Sequence, residues 1–343
     1  MKTEYLTVDP EKFSLSVFTD AAERIRAGEL VAFPTETVYG LGASGCNGAA
    51  VKKIYAAKGR PSNNPLILHF PDIEQIDGFA VTDRRFQLLA EAFLPGPLTV
   101  VLPSRGICAP EVTAGLPTVA VRVPVHPVAR AFLRACGVPV AAPSANLSGK
   151  PSPTTAEHVR KDMDGRIPLV IDGGPCSVGL ESTIVKLGDD GAVLLRPGGV
   201  TLEMLRSVLG DVRVADAVLS PPAPGAVPES PGMLLKHYAP DAPLYLVRSS
   251  DSRRVTDFLC EKAEDPKNSV LLYDGEHIPA ENVYFLGARG DEGELAHRLF
   301  DLLRAADRPE AERIYAPMPD RAGIGLALQN RMLRAAAFRI KDL

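Results

Sequence analysis

Several marks of common protein classes are missing from this sequence. No apolar run approaches the roughly 20 residues that a membrane span needs. The longest, such as 117-LPTVAVRVPV, are short and broken by charge or proline. The first residues, MKTEYLTVDPEKF, carry acids and no apolar core, so they do not read as a secretory signal. Cysteine is sparse: Cys46, Cys108, Cys136, Cys176 and Cys260 are odd in number and form no C-x-x-C pair. That spacing excludes a disulfide scaffold and a cysteine-rich zinc site, and it suits a reducing, cytoplasmic compartment. A strong basic bias is also absent. The formal net charge is −4, so any anion site should be a pocket rather than a whole face.

Standard catalytic signatures are missing as well. There is no HExxH or H-x-x-x-H metal site and no G-x-S-x-G elbow. The loop 143-PSANLSGKPSPTT is not a P-loop, because its lysine is followed by proline and the glycine spacing differs.

What is present is a globular composition of 343 residues, 45% hydrophobic and 23% charged, enough for about two domains. The first two-thirds alternate short Val/Ile/Leu-rich segments with amphipathic ones. Strands are predicted at 30-LVAFP, 65-PLILHF, 98-LTVVLP, 118-TVAVRVP, 138-VPVAAPS, 167-IPLVID, 182-STIVKL and 192-AVLLRP. Helices are predicted at 17–28, 47–59, 83–93, 127–137, 154–162 and 201–210. Pro127 suits a first helical turn, and Thr154 with Glu157 has the form of a capping box. The step from 182–187 into 192–196 reads as a hairpin, so the sheet should be mixed. Residues 216–232 are dense in proline and read as a semi-rigid linker. A smaller α/β unit follows.

Candidate chemistry sits at strand ends. In 33-FPTETVYGLG, the hydroxyls of Thr35, Thr37 and Tyr39 suit a carboxylate, and the glycines permit tight turns; a plain turn with a capping threonine fits too. In 58-KGRPSNNPL, Lys58 supplies a point charge and Arg60 a bidentate fork, which suits a polyphosphate; the alternative is a basic last turn complementing the helix dipole. His69 at the end of 66-LILHF is by default a core residue. Arg122 interrupts an apolar strand and needs a partner, either Glu36, Glu181 or a ligand anion. The hydroxyls and amide of 143–155 form a candidate anion nest. Ser182 opens one strand and Arg196 closes another. Cations, hydroxyls and backbone donors together fit phosphoryl or nucleotidyl transfer without a covalent intermediate.

These pieces, in this order, resemble the YrdC/Sua5 family of L-threonylcarbamoyladenylate synthases. The matching segments are 34-PTETVYGLG, the K-x-R of 58-KGRPSNNPL, 118-TVAVRVP, the S-x-N of 143-PSANLSG, 180-LESTIV, 196-RPG and 230-SPGMLLKHYAP. The resemblance implies an α/β fold: a twisted mixed-sheet YrdC-like catalytic domain over 1–215, then a linker over 216–240 whose HYAP piece closes the active site. A small Rossmann-like α/β Sua5 domain would fill 241–343. It implies that L-threonine, bicarbonate (or CO2) and ATP, with Mg2+ carried by the phosphates, become L-threonylcarbamoyl-AMP and pyrophosphate. The product would pass to a tRNA threonylcarbamoyl transferase for the t6A modification at tRNA position 37; direct tRNA binding is left open. By motif, Lys58 and Arg60 would act on the ATP phosphates, with Ser144, Asn146, Ser152, Arg196 and Tyr238 also at ATP. Thr35, His69, Arg122 and Ser182 would surround threonine. Leu234-Leu235-Lys236 departs from a Lys-Tyr-Arg-like stretch common in the family. Two rival readings are a carbamoyl-adenylate-forming module and a double-stranded-RNA-binding protein that uses the same basic cleft.

Overall fold

The computed structural model describes residues 1–221, 237–276 and 280–343. The linker stretch through Leu234-Leu235-Lys236 lies outside the described residues. The chain divides into two units. One holds Met1–Ser148 and Ser152–Val218; the other takes Gly149–Pro151 and the described residues from 237 onward.

The first unit is built on β1 (Glu4–Thr7), β2 (Val31–Phe33), β3 (Gly40–Ser44), β4 (Ile67–His69), β5 (Leu98–Pro103), β6 (Thr118–Arg122), β7 (Val140–Ala142), β8 (Leu169–Asp172), β9 (Thr183–Gly188), β10 (Gly191–Arg196) and β11 (Val212–Val214). Its helices are α1 (Thr19–Arg26), α2 (Gly48–Lys58), α3 (Arg84–Phe93), α4 (Pro110–Thr113), α5 (Pro127–Cys136), α6 (Ala156–Met163) and α7 (Leu202–Leu209). The strands form one sheet in the order β1-β8-β2-β3-β7-β4-β6-β5-β9-β10-β11. It is mixed: β4 and β6 run parallel, β9 and β10 antiparallel as a hairpin. One core cluster joins Phe18 and Ile25 to Phe33, Phe132 and Ile171, packing α1 and α5 on β2 and β8.

Local chemistry explains the helix ends. Asn47 caps α2 by accepting from the Ala50 N–H at 3.1 Å. Pro127 opens α5, and Gly137 ends it in the left-handed region at φ 67°. One expectation needs correction. The α6 cap is Thr155, not Thr154; its hydroxyl accepts from the His158 N–H at 3.3 Å. That puts Glu157 in the second helical position, too early for the reciprocal bond of a capping box.

The glycines of 40-GLGASG were expected to make turns, but Gly40 and Gly42 lie inside β3. Their letters spell G-x-G-x-x-G, yet β3 pairs antiparallel with both neighbours and is no strand-to-helix phosphate turn. Close packing accounts for two of these glycines. A Cβ on Gly42 would lie 2.7 Å from Val140 Cγ1, and one on Gly45 2.5 Å from Leu68 Cδ2. Strands β1 and β11 were not foreseen; both are short sheet edges with little apolar alternation.

Among the described residues the second unit has five strands, β12 (Leu244–Arg248), β13 (Asn268–Leu272), β14 (Val283–Phe285), β15 (Arg313–Pro317) and β16 (Ile340–Asp342). With them go α8 (Ser252–Ala263), α9 (Glu292–Ala306) and α10 (Gly325–Ala335). Every strand pair is parallel, in the order β14-β13-β15-β12-β16. Among the described residues no helix is long and apolar enough to cross a membrane.

Candidate active site

Three loops of the first unit are sewn together by backbone hydrogen bonds. The 34–39 loop receives Val178 N–H on the Glu36 carbonyl at 2.7 Å and donates from Tyr39 to Pro153 at 2.8 Å. Ala145 N–H returns to the Tyr39 carbonyl at 2.8 Å, and Cys176 N–H binds the Thr154 carbonyl at 2.9 Å. Segments 34–39, 143–148 with 152–155, and 173–182 of this unit thus hold one another, and most of the sequence-predicted site residues sit on or beside them.

Thr35 does the job of a turn cap. Its hydroxyl accepts from the N–H groups of Thr37 and Val38, each at 3.2 Å, and donates to the Val38 carbonyl at 2.6 Å. Next to it, Glu36 answers the question of Arg122. The two side chains meet at 2.6 Å, each only 4% exposed, and Val125 N–H binds the second carboxylate oxygen at 3.2 Å. The Nε of Arg122 is buried and makes no hydrogen bond. His69 is Arg122's neighbour in the parallel β4–β6 pair. Its Nδ1 lies 3.1 Å from the Ile67 carbonyl, and its ring meets Phe33 edge-on. Burial, then the Arg122 charge, push its pKa down to about 3. The imidazole is therefore neutral at physiological pH.

Lys58 is the last residue of α2, which Gly59 ends in the left-handed region at φ 61°. Its ammonium does not point along the helix dipole alone. It donates to the carbonyls of Ser144 and Asn146. Burial lowers its pKa well below the ordinary lysine value; Arg60 adds to this, while Asp162 and Glu181 oppose it. Arg60 directs Nη2 to the Asn64 and Pro65 carbonyls at 3.4 and 3.2 Å. Ser144 Oγ donates to Asn146 Oδ1 at 2.5 Å, and the Asn146 amide donates to the Leu147 carbonyl at 2.8 Å.

The β9–β10 end carries the remaining pair. Arg196 Nε donates to the Ser182 carbonyl at 3.0 Å and Nη2 to its hydroxyl at 3.2 Å. Thr99 and Ser182 share a hydroxyl hydrogen bond at 2.7 Å. Glu181, the other carboxylate weighed for Arg122, binds Ser152 instead. Gly198 presses on this corner: a Cβ there would lie 2.5 Å from Thr183 N and 2.6 Å from the Glu181 carbonyl. We therefore expect Gly198→Ala to displace residues 181–183. Overpacking of this kind costs about 1–3 kcal/mol, so Tm should fall by several degrees in a melting curve. An unchanged Tm would show that the corner can yield.

Ten of the eleven expected side chains thus lie in the first unit. Tyr238 belongs to the second, its ring tilted against Phe300 with centroids 5.3 Å apart and under the Arg331 guanidinium at 5.3 Å. Two features escaped the sequence. Glu36 and Glu181 have separate, fixed partners. Asn64 is fully buried, with neither its amide nitrogen nor its amide oxygen hydrogen-bonded, although N-N-P gives no local sign of it. A buried amide left unpaired is expensive unless a ligand completes it.

Comparison with known proteins gives a consistent answer. The Sua5/YciO/YrdC family model, described as "Telomere recombination", matches residues 23–198. A second model, "Threonylcarbamoyl-AMP synthase, C-terminal domain", matches residues 200–337. The threonylcarbamoyl-AMP synthase of Bacillus subtilis is 45% identical over 342 residues, covering 98% of this chain and 96% of the relative. That of Pyrococcus abyssi is 43% identical, covering 93% and 94%. The crystal structure of P. abyssi Sua5 complexed with L-threonine superposes with a TM-score of 0.92 at 41% identity, covering 99% of this chain and 100% of the other. The mixed sheet, the three interlocked loops and these full-length matches agree, and the chain belongs to the YrdC/Sua5 family, in its two-unit form.

Proposed function

We propose that this chain makes L-threonylcarbamoyl-AMP and pyrophosphate from L-threonine, bicarbonate and ATP. The observation that carries the reading is the likeness over nearly the whole chain to the B. subtilis and P. abyssi synthases. The chemistry follows from the side chains. Bicarbonate takes up a proton and loses water to give CO2; threonine's neutral amine then adds to its carbon and gives up a proton, so the proton balance closes. The resulting carbamate oxygen attacks the α-phosphorus of ATP, and pyrophosphate leaves with the bonding electrons.

Negative charge then grows on phosphate oxygens. Lys58, Arg60 and Arg196 are fixed cations that neutralise it without reorganising. Ser144, Asn146 and Ser152 hold the nucleotide, with Asn64 offering its unpaired amide. Tyr238 is assigned to ATP by its motif alone. Arg122 has one guanidinium edge on Glu36 and an unpaired Nε for the threonine carboxylate. Thr35, neutral His69 and Ser182 complete the threonine subsite. The Ser182–Arg196 hydrogen bonds make the two subsites share a wall. Mg2+ travels with the triphosphate, and no group of three or more His, Cys, Asp or Glu among the described residues forms a separate metal site. Residues 1–215 are the catalytic part, 216–240 the closing linker and 241–343 the C-terminal domain. The product goes to a tRNA threonylcarbamoyl transferase, and the setting is cytoplasmic.

The test is pyrophosphate release from ATP and Mg2+, with bicarbonate and threonine each present or omitted, and serine and glycine as controls. Release should require both co-substrates. A folded protein that binds ATP and releases none would overturn the reading and move it to a carbamoyl-adenylate or RNA-binding role.

A further inference from the structure

The parallel sheet of the second unit contains a ligand crevice of its own. The chain leaves β12 through α8 toward β13, and leaves β15 through α10 toward β16. β12 and β15 are neighbours, so these two connections depart in opposite directions along the sheet. Right-handed crossovers then place α8 on one face and α10 on the other. The packing agrees. Val255, Leu259 and Ala263 of α8 cluster with Val247, Val270 and Leu272, whereas α10 packs on α9. Between the carboxyl ends of two such strands an open sheet parts, and that opening is where parallel α/β sheets receive ligands.

A cavity of about 420 Å³ occupies this position, within the range of small-molecule sites. Its lining is mixed but mostly polar. Val247, Val255 and Pro317 are apolar, and three serines (Ser249, Ser250 and Ser252) are polar. Arg248, Arg289 and Arg321 are cationic, with Asp320 acidic. Arg248 is turned by Asp342 at 2.8 Å, and Arg289 by Glu276. Arg321 is held differently. Its Nε donates to Gln329 Oε1 at 2.7 Å, and the buried Gln329 amide is anchored on the Pro319 carbonyl at 3.0 Å. A neutral amide thus positions the guanidinium, and among the described residues no carboxylate forms an ion pair with it.

We propose that this crevice binds a nucleoside phosphate, with the phosphate on Arg321 and Arg248 and the nucleoside in the opening between the carboxyl ends of β12 and β15. A nucleoside phosphate brings hydroxyls, ring nitrogens and an anionic end, which match the serines and arginines of this polar lining, and the arginine forks suit phosphate oxygens. The site uses none of the residues assigned to the synthase reaction and does not depend on that reading.

The full chain should be titrated with α,β-methylene-ATP by equilibrium dialysis, beside Arg321→Glu and Ser250→Asp, which put negative charge into the crevice. Each variant should bind one nucleotide fewer per chain than wild type, through an affinity loss of at least about tenfold at that site. Threonine-dependent pyrophosphate release at saturating substrate should stay unchanged. Equal stoichiometry and affinity in wild type and both variants would overturn the site. Inorganic phosphate that binds the crevice as tightly as the nucleotide analogue would overturn its assignment to nucleosides.

Discussion

Replacing Lys58 with methionine should lower threonine- and bicarbonate-dependent pyrophosphate release by about 10²–10³-fold, the usual effect of removing one preorganised donor from a developing anion. Methionine keeps most of the apolar stem in α2 and removes only the ammonium. The carbonyls of Ser144 and Asn146 that now receive Lys58 then lose a donor, while the fold keeps its packing. Unchanged far-UV circular dichroism with collapsed turnover is the expected pair of results. Turnover near wild type would remove Lys58 from the mechanism. The same residue predicts a pH effect. Burial already favours its neutral form. As pH rises through the lowered value the charge is lost, so KM for ATP should rise well before the ordinary lysine range. Bound triphosphate opposes the change, and saturating ATP should shift the limb to higher pH.

The second large effect concerns stability. Glu36→Ala should cost the first unit about 3–5 kcal/mol, because it leaves Arg122 buried without its counter-charge. The Val125 N–H would lose its acceptor in the same change. In a unit of this size that corresponds to a fall in melting temperature of roughly 10 °C. Glu36→Leu combined with Arg122→Met should recover most of the loss while abolishing the proposed carboxylate contact to threonine, since buried pairs are often replaced by apolar ones at little cost. A single Glu36→Ala variant that melts within a degree or two of wild type would show that Arg122 finds solvent or another partner.

Much of this architecture was legible in the sequence because its signals are local. Asn47, Pro127 and Thr201 mark helix starts, and runs such as 98-LTVVLP and 192-AVLLRP mark strands. The missing pieces are those where long-range packing overrides local preference. β3 is a strand despite its glycines, because Val140 leaves no room for a Cβ at Gly42. The same holds for the candidate site. Arg122 announces that it needs a partner, but Glu36 and Glu181 are equally plausible until the fold brings one within 2.6 Å. Asn64 announces nothing, because an unpaired buried amide is a property of its surroundings. Tyr238 could be found only through its motif, since no spacing rule ties it to Lys58.

The order of strands carries a consequence for how the protein is made. β1 pairs with β8, Glu4 beside Leu169, and β2 pairs with the same strand, Val31 beside Leu169. β1 therefore leaves the ribosome with no permanent neighbour until residues 169–172 emerge. At synthesis rates of about 5–20 residues per second, its edge waits for many seconds. The mixed charges around β1 (Lys2, Glu4, Asp9, Glu11 and Lys12) guard against wrong pairing in that interval, and neutralising them should lower the soluble yield during translation more than it lowers the stability of the finished enzyme.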